Sequence, residues 1–203
     1  MMKTRFRRSL RRRADEGFSL IEVMIAIVVM SVGLLAVIAS FATAVAATQS
    51  AEEDLIARQK VLDAFESIYT ARNAQQIPFQ SVANVSNGGV FRDGPQSLLC
   101  AGPDGLVGTP DDVVCTTQAG VNCPGVGAEC MVLPGNDGIL GTADDTIMSL
   151  GNFRRTITIT PVQLPGGAGV NQNMVAVNIT VSYTKAGIPA RSFTANGLIS
   201  SYH

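Results

Sequence analysis

Apolar and polar positions divide the chain into regimes. From Phe18 to Ala51 the residues are apolar almost without a break: Glu22 is the single charge, and from Val23 to Ala51 there is no Asp, Glu, Lys, Arg, Pro or His. Ala, Val, Ile, Leu and Met at this density favour a helix in an apolar medium, and the run is long enough to cross a bilayer. After Ala51 the pattern becomes a stripe. Leu55, Leu62, Phe65 and Tyr69, with Ile56, Val61 and Ile68 beside them, recur at helical spacing while charges take the other face. One helix is therefore expected from Phe18 to about Arg72, about 82 Å long at 1.5 Å per residue. Pro78 bars much extension.

Residues 73–150 lack periodicity and are rich in Gly, Pro, Asn and Asp, which predicts loop with short strands. Period-two alternation returns at 153–164 (FRRTITITPVQL) and 174–184 (MVAVNITVSYT), and more weakly at 191–200. The turn-rich linkers PGGAGVNQN and KAGIP predict an antiparallel meander, one face of which covers the apolar stripe of the helix. The expected class is α+β: a long N-terminal helix on a C-terminal antiparallel sheet. Five segments follow: a basic leader (1–17), a membrane or filament-core helix (18–51), its amphipathic continuation (52–72), a loop-rich region (73–150) and the meander (151–203).

Charge sharpens the N-terminal picture. Lys3, Arg5, Arg7, Arg8, Arg11, Arg12 and Arg13 precede the apolar run, followed by Asp15, Glu16 and Gly17. A basic arm of this kind suits nucleic acid or a membrane signal. Placed directly before a membrane helix, it reads as the positive-inside signal that keeps the leader cytoplasmic and sends the C-terminal part across, with no nucleic-acid partner. Two other readings of the segment exist. Ala44-Val45-Ala46 resembles the cleavage site of an ordinary secretory signal, although the apolar core is nearly twice the usual length, and an uncleaved anchor is the other.

The edge of the apolar run carries a specific motif. GFSLIEV, residues 17–23, resembles the type III signal of type IV pilins and pseudopilins, and EVMIAIVVMSVGLLAV is similar to minor pilins of the PilV kind. The resemblance spans about residues 17–50. It implies cleavage by a prepilin peptidase between Gly17 and Phe18, N-methylation of Phe18, and a role for Glu22 in assembly. It also implies a minor pilin that helps prime the pilus and sits near its tip. Its partners would be major and other minor pilins and the inner-membrane assembly platform; the C-terminal part would be periplasmic before assembly and on the pilus surface after it. A minor pseudopilin of a type II secretion system shares leader and stalk, and a membrane-tethered calcium or adhesin-type binding module is a reading from another class.

Physical chemistry gives Glu22 its own interest. A carboxylate in an apolar helix costs about 2.5–3.5 kcal/mol at the bilayer centre, so it needs a partner or a nearby interface. An ammonium created at Phe18 lies four residues earlier on the same helical face; that amine, or a neighbouring subunit's, would neutralise it. Snorkelling to the interface is the alternative. Gly33, beside Ser31 and Val32, is either a point of close helix packing or a tolerated weak point.

All four cysteines, Cys100, Cys115, Cys123 and Cys130, fall in the loop-rich region. An even number in an oxidising compartment suggests two disulfides with three possible connectivities. Short loops close most easily, which favours Cys100 with Cys115 and Cys123 with Cys130. A metal site on these thiols is disfavoured, because no C-x-x-C pair exists and His203 is the only histidine.

The same region holds an internal repeat. GPDGLVGTPDDVV at 102–114 and GNDGILGTADDTI at 135–147 match at Gly, Asp, Gly, Gly, Thr and the Asp pair. Asp104, Asp111 and Asp112 in one copy, and Asp137, Asp144 and Asp145 in the other, are candidate Ca²⁺ ligands, since calcium takes six to eight oxygens gathered by turns. Their spacing does not follow the EF-hand. Glycine-stabilised turns with solvated acidic tips are the other reading. No cofactor is otherwise required. The chain has no H-E-x-x-H, no G-x-S-x-G, no P-loop and no histidine near a nucleophile, so the sequence points away from an enzyme.

Overall fold

A computed structural model describes residues 17–118, 121–123, 127–167, 169–185 and 188–202. Most of the basic leader lies outside the described residues. One long helix, α1, runs Leu20–Asn73, beginning two residues later than the pattern suggests. Ser19 holds the first position, its carbonyl accepting hydrogen bonds from Glu22 and Val23 N–H groups. The chain divides into two compact units, residues 1–48 and 49–203.

The described part of the first unit is the apolar run of α1. Its large side chains are exposed, from Phe18 at 82% to Val45 at 56%, and its best window has a mean hydropathy of 2.7. The few hydroxyls in it turn back onto the helix: Ser31, Ser40 and Thr48 donate to carbonyls four residues earlier, and Thr43 to one three earlier. Such back-bonding satisfies polar groups that a bilayer cannot solvate. A Cβ at Gly33 would meet nothing within 4 Å, so its small size serves no packing within this chain.

Among the described residues, the second unit contains the rest of α1 and eight strands. These are β1 (Gln96–Ser97), β2 (Thr117–Gln118), β3 (Val121–Asn122), β4 (Cys130–Leu133), β5 (Thr146–Ser149), β6 (Phe153–Gln163), β7 (Val170–Lys185) and β8 (Ile188–Ser200). The main sheet has the order β1-β6-β7-β8, antiparallel throughout. β6, β7 and β8 are the expected meander; β1, drawn from the loop-rich region, is an addition. β7 also begins at Val170, inside the stretch expected to be linker, and reaches β6 through a register shift between Pro161 and Gln163. β2–β3 and β4–β5 form two small hairpins.

Alternation sorts the sheet into a wet and a dry face. Thr156, Thr158, Asn178, Thr180, Thr194 and Asn196 share the outer face, where Thr180 bonds Thr194 and Asn178 bonds Asn196. Ile157, Ile159, Val177, Ile179, Val181 and Ile199 point inward to α1 and are nearly or fully buried. This is a pilin-like α+β fold: a long N-terminal helix packed on a C-terminal antiparallel sheet.

The buried stripe of α1 differs from the one read off the sequence. Ala57, Val61, Ala64 and Ile68 are fully buried, whereas Leu55 and Leu62 stay 66% and 62% exposed. Opposite the helix, Gly197 leaves room for the Tyr69 and Phe65 rings, since a Cβ there would lie 2.7–2.8 Å from them. The larger leucines fall on the far side. Polar ties reinforce the docking: Asp54 accepts hydrogen bonds from Tyr183 and Arg191, and Tyr69 donates to the Leu198 carbonyl.

Candidate functional site

Gly17, Phe18 and Glu22 stand at the head of α1. Gly17 is exposed and a Cβ there would meet nothing within 4 Å. Phe18 and Glu22 share one helical surface with Val23, Ala26, Ile27 and Met30. A carboxylate thus sits on an otherwise apolar face, one turn into a helix whose side chains are solvent-exposed in the isolated chain.

In the second unit the two acidic repeats fold into loops of the same design. Cys100 and Val113 bridge the base of the first with paired backbone hydrogen bonds; Leu133 and Thr146, the equivalent pair, close the second as the last rung of β4–β5. Asp104 accepts from Leu106 N–H as Asp137 accepts from Ile139 N–H, each at 2.9 Å. Asp112 accepts from Gly108 N–H as Asp145 accepts from Gly141 N–H, each at 2.7 Å. The hydroxyls of Thr109 and Thr142 donate to Asp111 and Asp144, again at 2.7 Å. These hydroxyls are the leading cause of carboxyls at Asp111 and Asp144 held below their ordinary range. Asp carboxylates that bond the backbone two residues on are turn-formers. Gly108 and Gly141 take a left-handed φ of 86° and 91° that favours glycine. Among the described residues, no group of three or more Asp, Glu, His or Cys side chains is arranged to hold a metal ion.

The loops differ in what they rest on. Leu106 of the first is fully buried and Asp112 faces Arg155, whereas Ile139 and Leu140 of the second are 60% and 62% exposed. The cysteines pair as Cys100–Cys115 and Cys123–Cys130, with Cα separations of 5.2 and 5.5 Å. The first bridge clamps the base of the first loop; the second loop has Leu133 where the first has Cys100.

Sequence reasoning missed a buried ionic chain. Lys60 of α1 pairs with Glu129 and, at 3.4 Å, with Asp63; Arg155 of β6 lies 4.0 Å from Glu129 and 3.9 Å from Asp112. Burial pulls the Arg155 guanidinium down, against the pull of Glu129 and Asp112, and burial pushes the Asp112 carboxyl up. A signal was present for Arg155 alone, which falls in step with Phe153, Ile157 and Ile159 on the inward period of β6. Lys60 reads as part of a solvated charged face.

Comparison with known families bears on the N-terminal site. The prokaryotic N-terminal methylation motif matches residues 12–38, the stretch that holds Gly17, Phe18 and Glu22. The match is confined to the N-terminal stretch of the chain. That stretch carries the N-terminal signature found in type IV pilins and pseudopilins. No curated protein and no solved structure gives a match. A prepilin-type subunit is structural rather than catalytic. The motif implies N-terminal processing and methylation.

Proposed function

We propose that the chain is a minor type IV pilin of the PilV kind, which helps prime pilus assembly and sits at or near the tip. The methylation motif over residues 12–38, which contains EVMIAIVVMSVGLLAV at 22–37, carries this reading. Prepilin peptidase cuts between Gly17 and Phe18, and the new amine at Phe18 is methylated. Glu22 then matches the amine of its own or a neighbouring chain as α1 leaves lipid for the filament core. The exposure of the whole apolar run supports this. Roughly thirty residues of unpaired apolar helix require a lipid or protein environment, and a lone carboxylate among them requires a cation.

Deleting the gene in the native cell tests the role. The number of surface filaments is expected to fall, with recovery on supplying the parent chain and not Glu22→Ala. Unchanged piliation, with the processed chain left in the inner membrane and protein secretion impaired, would transfer the subunit to a type II secretion system.

A further inference from the structure

The main sheet treats its two edges differently. Along the outer edge of β6 the open backbone is met piece by piece: β1 pairs with Arg154 and Arg155, and the Asn84 side chain donates to the Ile157 carbonyl and accepts from the Ile159 N–H, each at 2.8 Å. Farther along, Pro161 has no N–H to offer. β8 forms the opposite edge. Ser201 N–H donates to the Asn173 carbonyl, and in this antiparallel register every second residue back to Phe193 bonds β7 in the same way. Ser192, Thr194, Asn196 and Leu198 therefore turn their backbone groups away from β7. Tyr69 takes the Leu198 carbonyl. Among the described residues, nothing meets the backbone of Ser192, Thr194 or Asn196 on that side. Natural sheets blunt an exposed edge with charge, proline, a bulge or shortness. From Ser192 to Ser200, about 30 Å of strand at about 3.4 Å per residue, β8 has no charged side chain, no proline and no register shift.

We infer that β8 accepts a strand donated by a different protein, which extends the main sheet by one strand. A row of open N–H and C=O groups is matched by an extended backbone. β8 also sets the donor's side chains. Its inward Phe193 and Ala195 are partly buried at the rim of the core, and its outward Ser192, Thr194 and Asn196 are polar and exposed. Cross-strand neighbours pack with their own kind, so the donor alternates apolar and polar residues. Among residues 17–203, the stretches outside the described set are three residues or fewer, too short to serve as the donor. Residues 54–72 of α1 run alongside β8 in the same direction, with Asp54 on Arg191, Arg58 over Phe193, Tyr69 on Leu198 and Arg72 on Ser201. Antiparallel pairing of β8 with its equivalent in a second copy is thus disfavoured: it would oppose the two helices, whereas chains inserted in one membrane share one direction.

Site-specific photo-crosslinking in the native cell tests this, with a benzophenone amino acid replacing exposed Ser192 in the full chain. The expected adduct joins a different protein, at a peptide whose apolar and polar residues alternate. Thr194→Pro removes an outward N–H without touching the β7 ladder and is expected to cut the adduct yield about tenfold or more, since the ring also stands against the incoming strand. Thr194→Ala loses the same hydroxyl but keeps the N–H, and keeps the yield. Should Thr194→Pro fail to form both disulfides, Thr194→Lys, a charge of the kind that blunts natural edges, is expected to lower the yield in its place. No adduct, adducts only to lipid or to a second copy, or a yield indifferent to Thr194→Pro and Thr194→Lys would each overturn the inference. The open edge belongs to the fold of the second unit alone, so the fraction that holds the chain, sheared filament or inner membrane, judges the pilus reading separately.

Discussion

Glu129 sits between two buried cations, Lys60 and Arg155, and so joins α1 to β6 through one carboxylate. Removing one partner from a buried ion cluster strands the others. Glu129→Ala is therefore expected to destabilise the second unit by about 3–5 kcal/mol in denaturant unfolding; a loss below about 1 kcal/mol would show the cations to be solvated. The acidic turns carry opposite pH signatures. Asp111 and Asp144, depressed below 3.8, add stability above that value, and this share is lost as pH falls through the lower folded value. Asp112, raised by burial, loses stability as pH rises from 3.8 through its folded value. In unfolding measured from about pH 2 to about pH 6, Asp144→Asn should make the acid-side loss shallower and Asp112→Asn should make it steeper. Parallel profiles for the parent and both variants would refute these assignments.

Among the elements, the paired loops offer the sharpest contrast. Leu106→Ala removes a core side chain and is expected to cost about 2–5 kcal/mol, while Ile139→Ala at the equivalent position changes stability by less than about 0.5 kcal/mol. Equal effects would mean that both loops are docked. Opening Cys100–Cys115 by replacing both residues with Ala should cost about 3 kcal/mol, the loop-closure value for a span near fifteen residues. Much of this architecture was legible in the pattern. The alternation TITIT announced β6 and its two faces, and the repeat announced two like turns. The buried stripe was not legible in full, because hydrophobicity ranks Leu55 and Leu62 above Ala57 and Ala64. In the fold the face with Ala57 and Ala64 is buried and the two leucines face out. Likewise β1 has only two residues, Gln96 and Ser97, too few for any period to appear. The flanking Cys100 and Cys115 mark the first loop alone, but the burial of Leu106 and the approach of Asp112 to Arg155 involve residues remote in the chain and leave no local pattern.

For the whole molecule, two units divide two tasks. Residues 18–48 present an apolar helix with one carboxylate; residues 49–202 present a disulfide-clamped head whose sheet covers the amphipathic half of α1. The N-terminal motif was readable because it is local and chemically singular: glycine, then phenylalanine, then one acid five residues after the cut. The head's partners are not local and leave no such mark. Whether the chain is a processed subunit of a pilus is decided by sequencing its N-terminal peptide from filaments sheared off the native cell. A trace subunit, far below the major pilin in amount and beginning with N-methylated Phe18, is expected. A chain that begins at Ala47, or that retains the basic leader, would contradict it.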